Sequence, residues 1–369
     1  MPPPSPPLVA LLRSKPDPRA PNTPPTPLLT LLNWAASAAL YLLAPFIAAQ
    51  ALGTYYTRGP PAAWMPARFY VWSRLAKAFL QKYTYFLPGV DAEEAAIPAR
   101  YAANGARHAP GVTAAVVTIP GPARCSCSLP LPPPRAILYL HGGAYAFGHP
   151  LQWPFAWLLS SLGARLYAPN YRKALSGANA FPAQLLDALA GWEHVLAQGY
   201  AAGEVTVVGE SAGGHLALQL AQLLADEGRA LPRALALSGP WCDATSSMES
   251  TARNYAADYL PLVGRLAVPS YLRHYAPEAL AHRYVSPVRA APGDWAPLAA
   301  AGVKVYVHAG ELEILVDEVR ATVESMAAAG VDVTYVEEKG GLHQSAAMAF
   351  DGSDAWPTFR DAVRPIILA

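Results

Sequence analysis

The stretch from Val205 to His215 constrains the fold more than any other part of the chain. Four residues suited to a strand (Val205, Thr206, Val207 and Val208) run straight into Gly209-Glu210-Ser211-Ala212-Gly213-Gly214, and an apolar helical pattern starts at His215. This is G-x-S-x-G in the setting the motif requires: strand, sharp turn, helix. Such a turn forces its central residue into a strained backbone conformation, which presents the hydroxyl at the end of the strand. The flanking glycines remove side chains that would clash, and the helix aims its N-terminal amides at the same place. Ser211 is therefore the expected nucleophile.

The surrounding pattern fits one large α/β unit. Short runs rich in Val, Ile, Leu and Tyr at 112–119, 136–140, 165–169, 205–208, 233–238, 303–308 and 331–336 read as strands. Helical patterns, such as Ala183 to Ala197 and His215 to Asp226, lie between several of them. The alternation predicts a mainly parallel sheet covered by helices on both faces. Residues 243–300 break the rhythm and read as an excursion at the strands' C-terminal ends, where ligands bind in such folds. Charge is sparse and balanced, with Lys+Arg 27 against Asp+Glu 26, so the basic footprint of a nucleic-acid binder is missing. The 3 cysteines are too few for a disulfide framework, and Cys125 and Cys127 form a lone C-x-C in a proline-rich stretch, a poor zinc site.

A serine hydroxyl needs a base to take its proton and donors for the developing oxyanion. His141-Gly142-Gly143-Ala144 directly follows the strand 136–140, and its small residues can expose backbone N–H groups. The amides of Gly142, Gly143 and Ala212 are the expected oxyanion donors, with His141 holding the loop. The base should come late in the chain. His343, in Gly340-Gly341-Leu342-His343-Gln344 after the strand 331–336, has that setting; His215 and His308 lie within or at the end of regular elements. The acid should follow the strand 303–308, where Glu311, Glu313, Asp317 and Glu318 compete. Asp317 and Glu318 suit the first turn of the next helix. Pattern alone leaves Glu311 and Glu313 open.

These pieces together resemble the hormone-sensitive-lipase-like branch of the α/β-hydrolases across residues 100–365. They fall in that branch's order: His141-Gly142-Gly143-Ala144, Tyr171-Arg172, Phe181-Pro182-Ala183-Gln184 with Asp187, Gly209 to Gly214, Ser286-Pro287, an acid loop, and His343. The branch's acid loop is D-x-L-x-D-E, and Glu313-Ile314-Leu315-Val316-Asp317-Glu318 matches it with Glu for Asp. The resemblance thus puts the acid on Glu313. It implies an α/β-hydrolase fold with a helical cap, hydrolysis of apolar carboxylic esters through an acyl-enzyme, and no metal or organic cofactor. Ala144 in place of a third glycine, Glu210 where many members carry Asp, and the proline-rich insertion 120–134 are departures from the pattern.

The N-terminal part suggests a membrane. Residues 1–27 are proline-rich and read as a disordered tail. Leu28 to Leu52 is an uncharged apolar run; as a helix its length, about 1.5 Å per residue, suffices for a bilayer. Residues 28–52 are expected to be a single-pass anchor, 53–110 a linker with cap helices, and 111–369 the catalytic domain. An N-terminal membrane helix is similar to the arrangement in steryl acetyl hydrolases and arylacetamide deacetylases, which implies the endoplasmic reticulum and substrates such as steryl acetates or other short-acyl esters. Two alternatives keep the same fold: an arylformamidase or amidase on the same triad, and a non-catalytic ligand-binding protein.

Overall fold

The computed structural model describes residues 27–85, 116–119, 135–150, 155–174, 179–275, 277–350 and 352–369. Most of the expected tail and the insertion 120–134, with Cys125 and Cys127, lie outside the described residues. Among those described, seven strands form one sheet: β1 Val116–Ile119, β2 Ala136–Leu140, β3 Arg165–Pro169, β4 Val205–Glu210, β5 Ala234–Ser238, β6 Lys304–Gly310 and β7 Asp332–Glu338. Their order is β1-β3-β2-β4-β5-β6-β7. The edge strand β1 runs antiparallel to β3, and every other pairing is parallel. Expected and observed strands agree within a residue or two at their ends. The exception is the expected strand 112–119, of which only 116–119 is described.

Eleven helices accompany the sheet among the described residues: α1 Pro27–Arg58, α2 Ala67–Tyr85, α3 Phe155–Ser160, α4 Ala183–Ala197, α5 Ala212–Asp226, α6 Glu249–Arg253, α7 Val263–Tyr271, α8 Pro292–Ala300, α9 Val316–Ala328, α10 Ser345–Met348 and α11 Ala355–Leu368. The central strands are buried on both faces, which is why they read as continuous apolar runs. Their side chains nevertheless alternate between two cores. Leu138, Leu140, Val207, Leu235, Leu237, Val305 and Val307 meet Trp192 of α4, Leu216 and Leu220 of α5, Trp295 of α8 and Val319 of α9. Ile137, Tyr139, Val208, Ala236 and Tyr306 face the other way, onto Phe155 of α3 and Phe359, Val363 and Ile367 of α11.

A third cluster joins the N-terminal helices to this body. Ala51 near the end of α1, Met65, and Phe69 and Tyr70 of α2 pack with Tyr259, Leu342 and Phe350. The Tyr55 hydroxyl donates to the Met65 carbonyl at 3.0 Å, closing the α1–α2 corner. The apolar helix is longer than the run that announces it, continuing from Leu52 to Arg58. Its Trp34–Arg58 portion is long and apolar enough to cross a membrane. Trp34, Leu42 and Phe46 project from it largely exposed, while Tyr41, also largely exposed, sets its ring edge-on against Phe79 of α2 at 5.4 Å.

The order of the sheet reverses at β2, which lies between β3 and β4. A crevice at the C-terminal ends of strands follows at such a switch point. The excursion after β5 carries α6, α7 and 3-10 turns over this end, tied back by Ser286, whose Oγ accepts from the Ala244 N–H at 2.9 Å and donates to the Leu280 carbonyl at 2.6 Å. The turn between β4 and α5 passes so close to β2 that a Cβ on Gly213 would fall 1.9 Å from the Leu140 carbonyl oxygen. Gly213→Ala is therefore expected to destabilise the fold by more than about 3 kcal/mol, beyond ordinary core overpacking. A thermal melt within a degree or two of the parent would contradict this packing.

Candidate active site

The helix α5 starts one residue after Ser211, whose backbone sits at φ 52° and ψ −120°, a conformation an L-residue adopts only under constraint. Two backbone hydrogen bonds hold it. The Ser211 N–H donates to the Ser238 carbonyl at 3.1 Å, and the Trp241 N–H donates to the Ser211 carbonyl at 3.0 Å. The exit of β5 thus clamps the elbow from both sides of one residue. Glu210 is wholly buried beneath it; its Oε1 accepts from the Tyr139 hydroxyl at 2.6 Å. Burial raises the Glu210 carboxyl to about 7, against the Tyr139 and Gly142 hydrogen bonds.

The loop His141-Gly142-Gly143-Ala144 reaches the elbow because Leu140 pairs with Gly209 in the β2–β4 ladder. A Cβ on Gly142 would lie 3.3 Å from Ser211 Cβ. The Gly142 N–H, however, donates to Glu210 Oε1 at 3.2 Å, so this expected oxyanion donor is already engaged. The expectation rested on which residues were small, whereas the direction of each N–H is set by the turn. That turn has positive φ at Gly143, Ala144 and Tyr145. The Gly143, Ala144 and Ala212 amides donate to no acceptor among the described residues. His141 supports the loop: its Nδ1 lies 2.7 Å from the Gly142 carbonyl and its ring stacks on Tyr171 at 4.2 Å. Tyr171-Arg172 is itself bound to α4, since Arg172 Nε and Nη2 reach Asp187 at 2.9 and 2.8 Å and Gln184 Nε2 donates to the Arg172 carbonyl at 3.0 Å.

The loops after β6 and β7 bring Glu313 and His343 together. Glu313 Oε2 lies 2.7 Å from His343 Nδ1, and both side chains are fully buried. The other carboxylate oxygen accepts from the Gly310 N–H at 2.7 Å. Burial raises the Glu313 carboxyl well above its usual range, opposed by that amide. Burial also lowers the His343 imidazole to about 4, opposed by the nearby Asp258 carboxylate. His343 Nε2 has no hydrogen-bond partner among the described residues. The next residue, Gln344, extends its Nε2 to within 2.6 Å of where a Gly142 Cβ would stand, so the His343 loop borders the elbow and the loop His141-Gly142-Gly143-Ala144.

The competing groups have other partners. Glu311 Oε2 accepts from the Gly340 N–H at 2.8 Å, bracing the turn before His343. Asp317 pairs with Arg253 and Arg320, each at 2.7 Å, and Glu318 receives the Cys242 N–H at 2.6 Å and the Asp243 N–H at 3.1 Å. His215 is buried in α5 with Nδ1 2.8 Å from the Tyr145 hydroxyl. No group of three metal-ligating side chains occurs among the described residues. Asn254, Asp258 and Tyr259 also reach this region, and the sequence pattern did not single them out. They lie in the irregular excursion, where no periodicity marks a residue that faces a distant loop.

The alpha/beta hydrolase fold family matches residues 137–347, more than half of the chain, and the chain belongs to it. The order of its motifs is that of the hormone-sensitive-lipase-like branch. An esterase of the bacterial hormone-sensitive lipase family superposes with a TM-score of 0.57 at 28% identity, covering 68% of this chain and 81% of that one. Among curated proteins, the chain is 35% identical over 209 residues to an acetyl-hydrolase of Streptomyces hygroscopicus, covering 55% of this chain and 65% of the relative. It is 37% identical over 135 residues to an ethyl acetate hydrolase of Pseudomonas putida, 34% of this chain and 41% of the relative. The chain thus spans less than two thirds of the length of these curated relatives.

Gly239 gives a direct test of the carboxylate–imidazole pair. It has φ +53°, and a Cβ there would lie 2.9 Å from Glu313 Oε2 and 3.1 Å from His343 Nδ1. Gly239→Ala should slow labelling of Ser211 by a fluorophosphonate probe about a hundredfold, as a small misplacement of reacting groups does. Glu313→Gln should slow labelling by a similar factor, and Glu311→Gln by less than about threefold. Equal losses in the two glutamine variants would contradict the assignment of the partner to Glu313.

Proposed function

We propose that this chain is a serine carboxylic-ester hydrolase acting through an acyl-enzyme on small apolar esters with short acyl groups, steryl acetates among them. The observation that carries this reading is the buried 2.7 Å contact between Glu313 and His343 Nδ1 at the strand ends that also carry the strained Ser211. Relatives named acetyl-hydrolase and ethyl acetate hydrolase support the ester class and the short acyl group.

In this mechanism Ser211 Oγ attacks the ester carbonyl while His343 Nε2 takes the hydroxyl proton. Glu313 keeps the His343 proton on Nδ1, so that Nε2 presents its lone pair, and stabilises the imidazolium that forms. The oxyanion is received by the Gly143, Ala144 and Ala212 amides, the donors left unengaged, rather than by Gly142. Collapse of the tetrahedral intermediate breaks the ester C–O bond, and His343 returns the proton to the leaving alcohol. Water, deprotonated by His343, then hydrolyses the acyl-Ser211 ester, releasing the acid.

The exposed apolar length of α1 supports a single-pass membrane anchor, and by resemblance we assign the protein to the endoplasmic reticulum. The packing of Ala51 and the Tyr55–Met65 bond support an α1 that stays with the body. A cleaved leader would be lost from it.

Three outcomes test the reading. Ser211→Ala should abolish hydrolysis of p-nitrophenyl acetate, and full retention of turnover would overturn the mechanism; an aryl formamide in the same panel checks the amidase alternative. The sign of the pH dependence follows from His343, which works as a neutral base. Burial lowers its pKa to about 4, so kcat/KM should hold through pH 5–6 and fall only as pH drops further. An acidic limb above about 6.5, the ordinary histidine value, would oppose this. Finally, deletion of residues 1–50 should release the protein from vesicles into buffer without detergent, whereas the full chain should float with them.

A further inference from the structure

A turn from the excursion after β5 grips both loops that carry the carboxylate–imidazole pair. Asn254, at the end of α6, donates from Nδ2 to the Glu311 and Glu313 carbonyls, each at 2.9 Å. Asp258, fully buried, accepts the Ile314 N–H on Oδ2 at 2.9 Å, next to Glu313 in the chain. Its Oδ1 accepts the N–H of Tyr259 at 2.8 Å and, at 3.5 Å, that of His343. The Tyr259 hydroxyl donates to the His343 carbonyl at 3.0 Å. The backbone of the base is therefore held at both its N–H and its C=O, and the acid loop on both sides of Glu313, by one six-residue segment.

That segment is fixed in turn from α2. Arg74 donates to the Ala256 and Ala257 carbonyls. Lys77 donates to the Tyr255 carbonyl and, at 3.2 Å, to that of Asp258, while its ammonium sits 3.6 Å from the centre of the Tyr255 ring. Resting on the hydrolase reading above, we propose that Asp258 and its neighbour Tyr259 are positioning residues for His343: they register the base loop against the acid loop, and the Asp258 carboxylate steadies the imidazolium formed during ester cleavage. Neither touches the reacting atoms.

The electrostatics agree with the geometry. The charged and titratable groups facing His343 are Glu313 from the β6 loop, Asp258 from the excursion and the buried Tyr259 phenol. Asp258 is flanked by Arg74 and Lys77 of α2. Burial raises the Asp258 carboxyl, while His343 and the Ile314 amide pull it down. A second carboxylate beside the imidazole favours its protonated form. Removing that charge therefore lowers the pKa of His343 and weakens stabilisation of the imidazolium.

The test is Asp258→Asn in the full chain, with p-nitrophenyl acetate as substrate and kcat and KM measured across pH. We expect kcat to fall about ten- to a hundredfold with KM nearly unchanged. The acidic limb should move down by about one unit. Tyr259→Phe, which keeps the charge, should lower kcat without moving the limb. The His343 titration, followed by NMR on histidine-labelled protein and assigned with His343→Asn, reads the same coupling without any substrate. A parent protein that hydrolyses no ester would sink the hydrolase reading alone, and the NMR titration would still judge Asp258. The proposal is overturned if the His343 midpoint is the same in parent and Asp258→Asn. Should Asp258→Asn not accumulate as folded protein, a Tyr259→Phe enzyme with parental kcat overturns it equally.

Discussion

The conformation of Ser211 is the constraint on which the site depends. A residue at φ 52° and ψ −120° is not held by its own preferences. It is held because β4 ends beside β5, so that Ser238 and Trp241 bond its N–H and C=O, and because Gly213 lets α5 leave the turn against the Leu140 carbonyl. The same close approach brings the end of β2, with the loop His141-Gly142-Gly143-Ala144, next to the elbow. Relaxing the turn would withdraw the hydroxyl, separate it from the loop and open the β2–α5 packing together.

Burial supplies the second organising principle. Glu210, Asp258, Glu313 and Glu318 are all fully buried, in a region where an unpaired carboxylate would be expensive. Each is used to fix backbone rather than to form an ion pair with Lys or Arg. Glu210 takes the Gly142 amide, Asp258 those of Ile314 and Tyr259, Glu313 that of Gly310, and Glu318 those of Cys242 and Asp243. Carboxylates at these points convert irregular loops into rigid ones, because a loop amide bonded to a buried side chain cannot swing toward water without leaving both partners unsatisfied. Of the four, Glu313 alone also meets an imidazole nitrogen.

The N-terminal helices are joined to this network rather than merely tethered beside it. The N-terminal length of α1 is largely exposed, yet its last turns and α2 pack on Tyr259, Leu342 and Phe350; Leu342 directly precedes His343, and Tyr259 bonds the His343 carbonyl. Arg74 and Lys77 then bind the carbonyls of the segment that holds Asp258. The path from α1 to the His343 loop is short: one helix corner, one turn, one carboxylate.

What the sequence determined by itself is whatever depends on neighbours along the chain. The elbow around Ser211 is legible because its strand, glycines and helix lie within a dozen residues, and the strands because burial on both faces leaves continuous apolar runs. The apolar helix is legible for the same reason, and it ends at Arg58 because Gly59, at φ 79°, caps it before Pro60 and Pro61. Tertiary structure decided the rest. Pattern could not separate Glu311 from Glu313; the pairing of β6 with β7 aims Glu313 at His343 and sends Glu311 to the Gly340 amide. Nor could pattern see that the Gly142 N–H turns to Glu210, since the direction of an amide depends on dihedrals that small residues leave free. Asp258 was invisible because its partners stand 56 and 85 residues away in sequence. Only the folded chain brings them within hydrogen-bonding distance.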